Sequence, residues 1–305
     1  MSTIKVVVLL ATYNGEKYLH AFLESLVAQT FKEFELIVRD DGSSDETLSI
    51  VNSYSNKLNI TVSNDFNRLG AARNFIRLLT ECSTKYECYF FADQDDCWNT
   101  NKINRAVEKL SSKKNLPTLY CSGLELVGSN LSHISFSSAP RFISVKNALV
   151  ENIATGCTMA FNSKARSLIV ENLPQKISMH DWWIYIVISA LGEVIYDDFS
   201  SVKYRQHCGN TIGAATSAYQ DLVRRSKRFF SKTRSGVFGI AEQAAEFYRC
   251  FGPLLSKQDI KLIESLTLGK NTVLGKFRLT FTSGFVRQKY LDTAILRTLF
   301  LIGRY

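Results

Sequence analysis

The sequence predicts an α/β fold, a doubly wound and mainly parallel sheet followed by a C-terminal helical extension. Three observations lead there: apolar runs alternate with segments of helical periodicity through the first half, polar clusters sit where those runs end, and strand signals fade after about Ser201. At 305 residues, with 46% hydrophobic and 21% charged, the chain is long enough for one large or two modest domains and too apolar for disorder.

Residues 6–11 are apolar throughout, as expected for a strand covered on both faces, and Leu19, Phe22, Leu23 and Leu26 then recur at helical spacing. A second strand, residues 35–38, runs into Arg39-Asp40-Asp41-Gly42-Ser43-Ser44-Asp45-Glu46, where Ser43 and Glu46 have the spacing of a capping box opening the next helix. The rhythm continues with strand 60–63, helix 69–81, strand 86–92, helix 100–110 and strand 118–126. Such a sheet binds ligands where loops leave the carboxyl ends of its strands. The polar clusters Thr12-Tyr13-Asn14, Asp40-Asp41-Gly42-Ser43 and Asp93-Gln94-Asp95-Asp96 fall there. Farther on, Ala241, Ala244, Ala245, Tyr248 and Phe251 line one side of a helix stopped by Gly252-Pro253, and residues 256–268 read as a capped helix. In the last segment Leu291, Ala294, Ile295, Thr298, Leu299 and Ile302 share one side, with Arg287, Lys289, Arg297 and Arg304 nearby, giving a basic amphipathic end.

The formal charge of +9 is unevenly spread: residues 201–305 hold 18 Lys and Arg against 6 Asp and Glu, whereas residues 1–200 hold 19 against 22. A basic third of this kind suits an anionic partner, nucleic acid or lipid. The run Arg224-Arg225-Ser226-Lys227-Arg228-Phe229-Phe230 interleaves cations with aromatics, yet no nucleic-acid module surrounds it, so the expectation is a membrane surface and no nucleic acid. Seven cysteines, none at two-residue spacing, fit idle thiols in a reducing cytosol. The expected location is cytoplasmic, peripheral on the inner face of the cell membrane. There is no Gly-x-Gly-x-x-Gly after the first strand and no phosphate-loop motif, which removes the main support for dinucleotide oxidoreductases and mononucleotide hydrolases.

Asp93, Asp95 and Asp96 fall within four residues. Like charges ~4 Å apart repel by several kcal/mol at intermediate dielectric, and a hard divalent cation, Mg²⁺ or Mn²⁺, would relieve that. A solvated acidic turn is the alternative. Ordered along the chain are Ala11-Thr12-Tyr13-Asn14-Gly15, Asp40-Asp41-Gly42-Ser43-Ser44-Asp45, Asn67-Arg68-Leu69-Gly70-Ala71-Ala72-Arg73-Asn74, Asp93-Gln94-Asp95-Asp96-Cys97-Trp98, His180-Asp181-Trp182-Trp183 and Tyr204-Arg205-Gln206-His207. Together they resemble family 2 glycosyltransferases of the GT-A fold, over about two-thirds of the chain.

That resemblance implies roles residue by residue. Thr12, Tyr13 and Asp41, with Asn14 beside them, match the base-binding set. Arg73 matches the cation near ribose and phosphate, Asp93 the ribose contact, Asp95 the ligand of a metal bridging the diphosphate, and Asp96 a support through the metal's water shell. His207 matches a position that completes the metal site, and Arg205 a diphosphate contact. Asp181 matches the catalytic base of an inverting transfer, although His180 stands where many relatives carry Glu. Gly156 opens a small-residue stretch beneath the acceptor site, and of Trp182 and Trp183 one is expected to stack on sugar and the other to join the core. The motifs look most like bacterial rhamnosyltransferases of capsule or O-antigen synthesis, implying a dTDP- or UDP-linked sugar donor and a lipid-linked oligosaccharide acceptor. The expected division is a nucleotide-sugar-binding and catalytic domain, 1–214, and a basic helical region, 215–305. A glycosidase would need neither a base-binding Asp41 nor the metal motif. A nucleotidyltransferase making sugar nucleotides, which needs a glycine- and basic-rich triphosphate loop, and a non-enzymatic anionic-surface-binding protein are the remaining alternatives.

Overall fold

The computed structural model describes residues 4–63, 65, 67–207 and 239–305. Its first half is the expected β-α repetition: β1 (Val6–Thr12), α1 (Glu16–Val27), β2 (Phe34–Asp40), α2 (Thr47–Ser53), β3 (Ile60–Val62), α3 (Ala71–Glu81) and β4 (Cys88–Asp93). β1 pairs in parallel with β2 and β4, and β3 extends the parallel set beyond β2. β5 (Cys97–Trp98), α4 (Lys102–Ser111), β6 (Thr118–Val127), β7 (His133–Phe136), α5 (Val145–Ala148), β8 (Ala160–Asn162), α6 (Ser163–Glu171), α7 (His180–Leu191) and β9 (Glu193–Arg205) complete a single sheet. This half is mixed: β8 runs antiparallel to both β4 and β6, β9 lies parallel to β6, and β5 is antiparallel to β9.

The apolar run of β1 is fully enclosed because successive side chains enter opposite layers. Val7 and Leu9 join Phe75, Leu78 and Leu79 of α3 and most of α7 in one core, while Val6, Val8 and Leu10 join Leu19, Phe22, Leu23 and Leu26 of α1 in the other. The first core continues into the C-terminal helices α8 (Ile240–Phe251), α9 (Lys257–Gly269), α10 (Val273–Phe281) and α11 (Tyr290–Ile302). Trp183 meets Phe247 and Phe251 at ring-centroid distances of 6.2 Å each. Among the described residues, the helices after 239 thus share a core with the sheet.

Several sequence expectations change. Ser43 and Glu46 form no capping box: Ser43 Oγ donates to Asp40 Oδ2 at 2.6 Å, and α2 starts only at Thr47, whose backbone N–H donates to Asp45 Oδ1. The turn after β2 therefore captures the serine before the helix can. On α8 Ala241, Ala244 and Phe251 are buried as expected and Phe247 joins them, whereas Ala245 and Tyr248 face outward. On α11 the buried residues are Thr293, Leu296 and Phe300, so much of the expected apolar side, Leu291, Ala294, Thr298 and Ile302, is exposed. The Ser256 cap is as expected, its side chain accepting from Asp259 N–H. The boundary at 214/215 and the run 224–230 lie outside the described residues.

Phe247→Ala should remove about 3–5 kcal/mol from one cooperative urea transition, because the cavity opens in a shared core. A separate early transition that leaves the sheet at wild-type stability would show that the C-terminal helices fold apart from it.

Candidate active site

Asp40 and Asp41 are adjacent but do different work, because successive strand residues point to opposite sides. Asp40 organises the turn: its carboxylate accepts from Thr12 Oγ1 at 2.7 Å, from the Gly42 and Ser43 backbone N–H groups, and from Ser43 Oγ. Gly42 has φ +86°, which glycine adopts without the steric cost a side chain would bring. Asp41 is turned to the cleft instead, with its oxygens accepting from Leu69 and Gly70 N–H at 2.7 and 2.8 Å. The fully buried Arg39 guanidinium reaches Asp41 at 3.2 Å and Asp65 at 3.1 Å, tying the β2 end to the loop before α3. Tyr13 stands at the rim, 37% exposed, with the Arg68 guanidinium 4.4 Å above its ring. Its backbone N–H donates to Gln94 Oε1 and its C=O accepts from Gln94 Nε2, both at 2.9 Å.

The acidic cluster leaves β4 on the same edge. Asp93 lines the cleft, and desolvation together with repulsion from Asp95 and Asp181 holds its carboxyl well above the usual carboxylate range. Asp95 Oδ2 lies 2.7 Å from His207 Nε2, so residues 112 apart in sequence meet where the sequence pairs them. Asp96 is fully buried behind them, its Oδ1 accepting the Arg205 backbone N–H at 3.1 Å. Asp95 and His207 offer a carboxylate and an imidazole of the kind that suits Mn²⁺ and is acceptable to Mg²⁺, whereas the ligand atoms that lie within 4.8 Å of one another among the described residues are those of Asp93, Asp96 and Cys157; the desolvated Asp93, with acidic neighbours, marks a place where positive charge would be welcome.

The opposite wall is the first turn of α7. Asp181 is buried, with Oδ2 accepting from Gly156 N–H at 3.1 Å and Oδ1 from Trp182 N–H at 2.6 Å. Burial raises its pKa to about 6 although these hydrogen bonds, and one from Asn152, pull the other way. His180 stacks on Phe75 with centroids 4.0 Å apart, and burial lowers its pKa to about 3, so it is a neutral aromatic filler. The need for glycine at 156 follows: a Cβ there would sit 2.9 Å from His180 Nε2.

The cleft, about 770 Å³, thus brings together Thr12, Tyr13, Asp41, Asp93, Asp95, Gly156, Asp181 and Trp182, with His207 bonded to Asp95. Besides His207, which reaches it through Asp95, four predicted positions do not line it. Arg73 is exposed, because α3 turns Asn74, Phe75 and Leu78 inward and carries residue 73 away. Arg205 is buried, donating to Asp95 C=O at 2.7 Å and Ser129 C=O at 2.5 Å, so it braces the acidic loop. Asn14 links two loops, receiving Ser44 N–H on its side chain, and Trp183 lies wholly in the core. Trp182 is the indole at the cleft, its Nε1–H donating to Ala148 C=O at 2.7 Å. Sequence reading missed Arg68, Gln94, Asn152 and Arg287, which also line the cleft. Gln94 was within reach, as the one neutral side chain inside an acidic motif.

Comparison with known proteins bears on the family and the fold. The family model for Glycosyl transferase family 2 matches residues 7–166. The dTDP-rhamnosyl transferase RfbG of Shigella flexneri is 31% identical over 228 residues, which cover 68% of this chain and 75% of RfbG. The poly(ribitol-phosphate) beta-N-acetylglucosaminyltransferase TarS of Staphylococcus aureus strain Mu50 is 40% identical over 106 residues, 34% of this chain and 18% of TarS. Among solved structures, S. aureus TarS 1-349 in complex with UDP-GlcNAc matches with TM-score 0.59 at 21% identity, covering 92% of this chain and 76% of that one. The mannosyltransferase PcManGT from Pyrobaculum calidifontis, in complex with GDP-Man and Mn²⁺, matches with TM-score 0.54 at 15% identity, covering 98% and 85%. These likenesses establish the GT-A fold.

Calorimetric titration with Mn²⁺ should show one site, and Asp95→Asn and His207→Ala should each weaken it by about tenfold or more. Wild-type Mn²⁺ affinity in both variants would exclude the Asp95–His207 pair as the site.

Proposed function

Because the chain belongs to glycosyl transferase family 2 and is a glycosyltransferase, we propose that it transfers rhamnose from dTDP-rhamnose, with inversion, to a lipid-linked saccharide of a bacterial surface polysaccharide such as capsule or O-antigen. One observation carries the mechanism: Asp181, with its pKa near 6, faces the Asp93–Asp95–His207 edge across one cleft. The sugar is suggested by the dTDP-rhamnosyl transferase RfbG; a UDP-linked donor is the close variant. In this reading residues 1–214 bind the donor and perform transfer, and residues 215–305 keep the enzyme on the inner face of the membrane that anchors its acceptor.

Tyr13, with Arg68 above it, offers a planar surface for a pyrimidine, and Asp41 sits beside it on the same edge. Asp95 and His207 would hold Mn²⁺ or Mg²⁺, whose chemistry there is to neutralise the leaving diphosphate. Asp181 takes the proton of the acceptor hydroxyl. Its orientation is set by the Gly156 and Trp182 amides, and its raised pKa makes it a better base than an exposed aspartate while leaving it ionised at neutral pH. Trp182 places an indole next to that carboxylate, where the apolar face of a pyranose would lie.

Asp181→Asn should keep Mn²⁺-dependent dTDP binding and lower kcat by ~10²–10⁴-fold, the usual range for a lost general base. Wild-type turnover would end the assignment. The base works as a carboxylate, so log kcat/KM should fall with unit slope as pH drops through about 6 and level off above it. A flat profile between pH 5 and 8 would contradict this. Gly156→Ala, which crowds His180 and shifts Asp181, should slow transfer by about tenfold or more with nucleotide affinity unchanged. A panel of nucleotide sugars, scored by binding and by slow donor hydrolysis with Mn²⁺ or Mg²⁺, tests the donor: preference for a purine nucleotide sugar would overturn it.

A further inference from the structure

The apolar surface of α10 and α11 is turned outward. On α10, Val273, Leu274, Phe277 and Phe281 are 86%, 66%, 57% and 60% exposed. Positions i, i+1, i+4 and i+8 fall within about 100° of one another on a helix, so they form one stripe. Lys276 and Arg278 flank that stripe, one on each side. On α11, Leu291, Ala294, Thr298, Leu301 and Ile302 form a second exposed stripe, with Arg297 at its border. The stripes are neighbours: Phe281 from one helix and Ala294 and Leu301 from the other line a single groove of about 500 Å³. Arg287 lines both this groove and the cleft of Asp93 and Asp181, so the apolar face adjoins that cleft.

Charge selects the occupant. Residues 257–305 carry 9 Lys and Arg against 3 Asp and Glu, and the whole chain is +9, so a second copy would bring like charge to the face. The segment 208–238 is no better suited, with 6 Lys and Arg against 1 Asp. A bilayer with anionic headgroups supplies both things the surface asks for, hydrocarbon for the stripes and negative charge for the cations beside them. None of the described helices is long and apolar enough to cross a membrane, so contact of this kind is interfacial. We propose that the α10–α11 face is a docking surface for an anionic lipid bilayer, with Leu274 and Phe277 seated among the acyl chains and Lys276 and Arg278 among the headgroups. The proposal deepens the lipid-linked acceptor reading by giving the protein a specific membrane-facing side, and it stands on surface chemistry that can fail independently of that reading.

The test is co-sedimentation of the full chain with vesicles of phosphatidylcholine alone and with 30% phosphatidylglycerol, at low and high salt. Wild type should bind the anionic vesicles, weakly the neutral ones, and less at high salt. The double variant Leu274→Ser, Phe277→Ser alters exposed residues and should keep the wild-type melting temperature and dTDP binding while losing vesicle affinity by about tenfold or more. Lys276→Glu with Arg278→Glu should lose only the anionic preference. Wild type that fails to bind the anionic vesicles, or double-serine protein that binds them normally, overturns the docking surface. So does a concentration-dependent dimer in sedimentation equilibrium that the serine variant abolishes, which would make a second copy the occupant. Mn²⁺-dependent dTDP binding and transfer to a detergent-solubilised acceptor, measured alongside, report on the glycosyltransferase reading and do not depend on this surface.

Discussion

Acids held together in one desolvated cleft are the constraint that the rest of this structure answers. Asp41, Asp93, Asp95 and Asp181 are turned into one cleft, with Asp96 buried behind them. Two such charges ~4 Å apart cost about 4 kcal/mol at an effective dielectric near 20, a sizeable fraction of a domain's net stability. The surrounding architecture compensates group by group. Arg39, buried in the wall, answers Asp41; the Gly156 and Trp182 amides answer Asp181; and Arg205 ties down the backbone of Asp95 and Asp96. Asp93 is left with two acidic neighbours and no matching cation among the described residues, which is the deficit a metal-bound diphosphate would fill.

The compensation explains features that look unrelated in sequence. Gly156 is there because His180 leaves no room for a Cβ and because its amide must reach Asp181. The loop before α3 closes over the β2 end because Asp41 collects two of its backbone amides while Arg39 collects Asp65. Trp183 anchors α7, and so the height of Asp181, by packing against Phe247 and Phe251 from the C-terminal helices. The wall that carries Asp181 is therefore held partly by the basic region of the chain, which also presents apolar stripes outward on α10 and α11.

The first half of the fold was legible because strands buried on both faces have to be continuously apolar, as 6–11 and 89–92 are, and because ligand-binding loops in such sheets follow strand ends. The mixed half was less so: β5 and β8 are two and three residues long, too short for any periodicity to declare them. Among site residues, Asp95 and His207 were legible from motif order alone, and their pairing needed only the β9 position. Arg68 was not, since it lies in the loop before α3, where no periodicity indicates which way a side chain turns, whereas the phase of α3 carries Arg73 outward. Arg205 shows a related limit, as charge type does not tell whether a guanidinium meets ligand or backbone carbonyls. On α11 the periodicity was read correctly as apolar and its direction was not, because a helix with apolar residues on two sides does not say which side meets the core.

The central claim is that Asp93 is held desolvated beside other acids, a cost retained for a ligand to relieve. Urea unfolding of Asp93→Asn against wild type, at pH 8 with chelator and no nucleotide, tests it most directly. Removing one of the crowded charges should leave the variant at least as stable as wild type and up to about 2 kcal/mol more stable. A variant clearly less stable than wild type under those conditions would show that Asp93 is held by favourable contacts, and that the cleft stores no repulsion for a metal and diphosphate to relieve.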